Sequence, residues 1–152
     1  MSIAWQYLDK RSAAVNALKD YESMKYILAH VPEDIALIKT SMVRIDAPLL
    51  SDFPKNQRNV KSAENKVTRN IDAIDVLGER HSRAQEFCAW FEPAWSGLSD
   101  AERYVLSCFY LNESETRDCV STICDYFHIE RSSAYKRKDR ALSHLTLLLY
   151  GK

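Results

Sequence analysis

The sequence predicts an all-α protein, and three observations carry that prediction. Glycine and proline are scarce, with three and four in 152 residues, and good helix formers fill the remainder. Val60 to Trp95 holds an apolar seam in steps of three and four for five heptads without a slip, the spacing of a coiled-coil seam. The C-terminal third keeps the same helical steps in shorter runs, separated by polar breaks. The expected organisation is a helical hairpin or coiled-coil bundle over 1–95, with a loop at 46–59, followed by a domain of short helices over 96–152.

Taken in order, 2–30 reads as one helix, with Leu18, Tyr21, Leu28 and, between them, Met24 or Lys25 as its stripe and Val15 and Leu8 extending it backwards. Pro32, followed by Glu33 and Asp34, is a helix-start signal: proline is tolerated in a first turn and acids favour the positive end of the helix dipole. A second helix is therefore expected over 32–44, with Ile35, Ile38, Met42 and Ile45 as its seam. Asp46 to Asn59 carries two prolines and no periodicity, and reads as a loop. The long helix follows, with Val60, Ala63, Val67, Asn70, Ile74, Leu77, His81, Ala84, Cys88, Phe91 and Trp95 as its seam. Asn70 reads as a register-setting residue, since a polar group in a seam fixes alignment at some cost in stability. His81 reads as a hydrogen-bonded seam histidine.

Ser96 and Gly97 break that helix. Ser99 and Glu102, in the run SDAE, form a capping box for the next one, which runs to about Leu111. Val105, Leu106, Phe109 and Tyr110 are its expected buried residues, and 112–116 is a polar connection. A short helix from about Asp118 to Phe127 buries Val120, Ile123, Cys124 and Phe127. His128 stands at a turn and Ile129 behind it is apolar. The last helix opens near Arg131, with Ala134, Ala141, Leu142, Leu145 and Leu148 on its buried side.

The other side of that last helix carries Arg131, Ser132, Ser133, Tyr135, Lys136, Arg137, Lys138 and Arg140. The chain has no formal net charge, yet six basic residues stand against one acid, Asp139, from Arg131 onwards. One helix that braces and a second that presents cations and hydroxyls is the arrangement a helix–turn–helix needs for double-stranded DNA. Residues in the first turns reach base edges, while Arg and Lys further along bind phosphates.

LSDAERYVL and then VSTICDYFHIERSSAYKRKDRALSHL resemble the region 4 type helix–turn–helix of sigma factors. Within that group the chain is similar to phage transcriptional regulators of the ArpU/RinA type, which share a helical N-terminal half opening on a motif like LKDYESMK. The resemblance covers Leu98 to Tyr150 well and the first half by pattern. It departs at two positions. His128 stands where glycine is usual, and histidine visits positive φ more readily than most residues. Glu130 stands where serine is usual, so Ser132 or Ser133 is expected to take over the cap and move the helix start by a residue or two. The resemblance implies a transcriptional regulator of phage or prophage late genes, working in the host cytoplasm at the nucleoid. Its N-terminal helices are expected to form a homodimer, to contact RNA polymerase, or both. A second reading is a DNA-packaging protein of the small terminase kind, which also joins a helix–turn–helix to helical assembly.

Other chemistry finds little support. Cys119, Cys124 and His128 fail the spacing of a zinc site. No Gly-rich phosphate loop, nucleophile elbow or HExxH run is present, so neither catalysis nor a cofactor is expected. Asp72, Asp75 and Glu79 read as a solvated helix face. Trp5, Tyr7, Trp90, Phe91 and Trp95 read as core packing near helix ends. The opening MSIAWQYLDK lacks the apolar run of a leader, no stretch is long and apolar enough to cross a membrane, and the four cysteines read as reduced and mostly buried.

Overall fold

The computed structural model describes residues 8–46, 57–112 and 116–151. All regular structure among them is helical, as expected, in five helices. These are α1 (Lys10–Asp46), α2 (Gln57–Ser96), α3 (Asp100–Leu106, continued by a wider π turn at Ser107–Leu111), α4 (Thr116–Phe127) and α5 (Arg131–Tyr150). Trp5, Tyr7 and most of the expected loop, 47–56, lie outside the described residues. α2 begins three residues earlier than the seam suggested.

The first half differs from the sequence expectation chiefly at Pro32. Two helices meeting at Pro32 were expected, and a single helix runs from Lys10 to Asp46 with Pro32 inside it. Burial along α1 explains why. Its covered positions include Ala14, Ala17, Leu18, Tyr21, Met24, Leu28, Val31, Ile35, Ile38 and Met42, a stripe that keeps steps of three and four straight through the proline. The two expected stripes are one stripe in phase. Pro32 itself is exposed, so its ring faces solvent while the seam stays covered, and its missing N–H removes one bond to the Leu28 carbonyl. The helix also starts later than expected. Asp9 caps it, accepting from the backbone N–H groups of Arg11 and Ser12 (both 3.2 Å) and from the Ser12 hydroxyl (2.8 Å). These bonds, the Ser12 hydroxyl first, hold the Asp9 carboxyl below its ordinary range. Leu8 lies before the cap and is half exposed, so it does not extend the stripe.

By compactness the described chain forms two units, and their boundaries fall at 24/25 and 86/87, within the long helices, rather than at 95/96. The unit of 25–86 holds the remainder of α1 and most of α2. Along α2 its least exposed positions are Val67, Asn70, Ala73, Ile74, Leu77, Gly78, His81 and Ala84, which contain the expected seam from Val67 onwards, whereas Ala63, also expected in the seam, is exposed. Most of them are half covered, and Ala84 is fully buried.

The other unit joins 1–24 to 87–152. Tyr21 of α1 packs its ring against Phe91, with centroids 4.6 Å apart, and its hydroxyl donates to Glu92 Oε1 at 3.3 Å. Phe91 is fully buried, and burying such a side chain is worth about 3 kcal/mol. Trp90, half exposed, meets Tyr150 at 5.7 Å. α2 ends at Ser96, and Gly97 lets the chain pass closely under α5: a Cβ there would fall 3.1 Å from Leu148 Cδ1. Leu148 was expected to be buried, but it remains 42 % exposed.

Ser99 and Glu102 form the expected capping box at the start of α3. At the other end Asn112 N–H donates to the Ser107 carbonyl five residues back (3.1 Å), which defines the π turn. Val105, Cys108, Cys119, Val120, Ile123 and Ala134 form the core that joins α3, α4 and α5. Within it Cys108 and Cys119 are bonded reciprocally. The Cys119 thiol donates to the Cys108 carbonyl at 2.7 Å, and the Cys108 thiol donates to the Cys119 carbonyl at 3.7 Å.

Candidate nucleic-acid interface

The turn before α5 is fixed by a left-handed residue. His128 has φ 54°, and Ile129 N–H reaches back to the Cys124 carbonyl at 3.1 Å. That is the bond of a Schellman motif, whose C′ position is usually glycine. Ile129 and Cys124 also pack on the same core, the apolar contact that accompanies this motif. α5 then starts at Arg131. Glu130 is its N-cap, in extended conformation and with no side-chain capping bond. Ser132 and Ser133 therefore do not take the cap. The backbone already turns at Glu130, whose carbonyl accepts from Ala134 N–H at 3.0 Å, so both serines lie within the first helical turn.

This start sets the direction of every candidate side chain. Ala134, Ala141, Leu142 and Leu145 are buried. At about 100° per residue, Ser132, Lys136 and Arg140 share an arc of about 80° on the opposite side, and all three are exposed. Arg131 is exposed at the tip of the helix. Ser133, Lys136, Arg137 and Arg140 form one rim of an open groove of about 540 Å³ between α5 and the start of α3, floored by Val105, Ile129 and Ala141. Arg137 is held in place, its guanidinium 4.3 Å from the centre of the Phe127 ring. Tyr135 and Lys138 lean towards the π turn instead. The Tyr135 ring lies 6.1 Å from Phe109, and the Lys138 ammonium sits 5.2 Å from Phe109 and 5.5 Å from Tyr135.

Two side-chain pairs bound the exposed strip, and neither is legible in the sequence. On one side His144 Nδ1 lies 2.9 Å from Glu102 Oε1. The same carboxylate accepts from Ser99 N–H at 2.8 Å, so the α3 cap and α5 are joined through one side chain. Burial pulls the Glu102 carboxyl up, but the Ser99 N–H and His144 outweigh it and hold it below the ordinary value. On the other side Arg11 Nη2 donates to Asp139 Oδ1 at 2.9 Å. Tyr110 borders this second pair. Its phenol is raised chiefly by burial, with Arg11 opposing and Asp139 adding. Glu102 was legible as a capping residue and silent as a partner of His144. Arg11 and Asp139 are 128 residues apart, and no local pattern connects them.

No known family, curated protein or solved structure matches this chain. None of the described helices is long and apolar enough to cross a membrane.

Proposed function

We propose that this protein is a sequence-specific DNA-binding regulator of phage or prophage late genes, with α5 entering the major groove as the second helix of a helix–turn–helix. The observation that supports this most is the exposed strip of Ser132, Lys136 and Arg140, on a helix braced from behind by α3 and α4 across a three-residue turn. Arg131, Ser132, Ser133 and Lys136 lie where base edges would come within reach, and Arg137 and Arg140 line the flank where phosphates would run. Tyr135 and Lys138 form the third side, towards Phe109. The half-covered seam of the 25–86 unit leaves apolar surface for a second copy or for RNA polymerase.

The test is a binding titration of Arg131→Ala, Lys136→Ala and Arg140→Ala at several salt concentrations, on a selected site and on random duplex. Loss of a base-reading residue should cost about 1–3 kcal/mol on the selected site and little on random DNA. Loss of Arg140 should weaken both and lower the salt slope by roughly one unit. A wild type without salt-dependent DNA binding would remove the reading. Sedimentation separates regulation from packaging: a monomer or dimer fits the first and a ring of many subunits the second.

A further inference from the structure

The Arg11–Asp139 pair lies at the edge of the strip and is a poor candidate for a stabilising device. Both side chains are about half exposed, 49 % and 57 %, and pairs so open to water add little to folding. What the pair does is place charge. Asp139 is the one acid between Arg131 and Lys152. It stands seven residues after Ser132, hence about 20° from it around the helix, and about 60° from Lys136. Left alone, its carboxylate would face the same phosphates that Lys136 and Arg140 attract. Arg11 comes from the first turn of α1, just after the Asp9 cap that fixes where the helix begins. A guanidinium has five N–H donors in a planar fork. With Nη2 directed at Asp139, the fork still presents donors on its other edges, and bidentate contact with a phosphate is the geometry it favours.

We infer that Arg11 is a phosphate-binding residue of the DNA interface, supplied by α1 from outside the three C-terminal helices, and that Asp139 is its positioning residue. The inference rests on the DNA-binding reading above. It makes α1 part of the interface and assigns the single acid of the basic helix a task.

The experiment uses the full chain and a random-sequence duplex, titrated at several salt concentrations, with Arg140→Ala as reference. Arg11→Ala should weaken binding about tenfold and lower the log–log salt slope by about one unit. Arg11→Lys should keep the slope and lose part of the affinity, because the charge survives without the fork. The double variant Arg11→Ala/Asp139→Asn is decisive. If Arg11 touches phosphate, this variant still binds less tightly than Asp139→Asn and keeps the reduced slope. If Arg11 merely masks Asp139, the double variant returns to wild-type affinity and slope, and the inference is overturned. An Arg11→Ala protein that binds as wild type while Arg140→Ala is weakened also overturns it and leaves the DNA reading standing. Absence of DNA binding in the wild type removes both.

Discussion

His128 holds a left-handed backbone, φ 54°, which costs a side chain with a Cβ about 1–2 kcal/mol. Histidine tolerates it better than most residues, and a β-branched residue tolerates it worst. His128→Gly should therefore leave thermal stability unchanged or raise it slightly, the relieved strain being offset by a freer unfolded chain. His128→Val should lower stability by about 1–3 kcal/mol, and a pair of melting curves checks both. Glu102 gives a pH signature. Its carboxyl titrates below the ordinary glutamate value in the folded protein, so the unfolded chain binds the proton more readily. The stabilisation is complete above the ordinary glutamate range and is lost as pH falls through that range to the lowered folded value. Glu102→Gln keeps an acceptor for Ser99 N–H but loses the charge, so its stability should fall less steeply over that window. Ser99→Ala, which removes the reciprocal cap, should cost about 1 kcal/mol near neutral pH. The turn residue was legible because a non-glycine stood at a position that demands positive φ. Arg11 and His144 were not, because their partners are set by packing between distant segments.

α1 shows which of two sequence signals wins at the level of an element. Pro32 with Glu33 and Asp34 is a local start signal, and the spacing from Leu28 to Val31 to Ile35 is a phase that a new helix would have broken. The phase was the better guide, since burying a continuous seam outweighs one missing backbone bond. Pro32 is exposed inside a helix, and interior proline is disfavoured relative to alanine by up to about 3 kcal/mol. Pro32→Ala should thus raise the melting temperature. Were Pro32 the first residue of its own helix, the substitution would leave stability unchanged or reduce it. The α2 seam, the capping box and the ends of α4 were legible because each rests on nearest neighbours along the chain. The cap of α5 was misassigned because serine was weighed by propensity, whereas Glu130 holds the N-cap through backbone geometry alone.

For the molecule as a whole, composition and heptad phase were enough to give an all-helical chain. They did not give its compact units, because that division depends on contacts between distant segments, such as Trp90 of α2 with Tyr150 of α5 and Arg11 of α1 with Asp139 of α5. Asn70, half covered in the seam, belongs to the same scale. A polar seam residue sets register and assembly at a cost in stability. Asn70→Leu should raise thermal stability and broaden the distribution of species in sedimentation, and an unchanged profile with unchanged stability would remove Asn70 from that role.

The crossed thiols of Cys108 and Cys119 give the protein a clock. Both are almost wholly buried, as is Cys88, while Cys124 is half covered. Burial, together with the bond to Cys119, keeps the Cys108 thiol protonated well above the usual range. An alkylating reagent should consume Cys124 first and then wait. Each of the crossed thiols donates to the other's carbonyl, so the two should be modified in step. Their common rate then times the separation of α3 from α4.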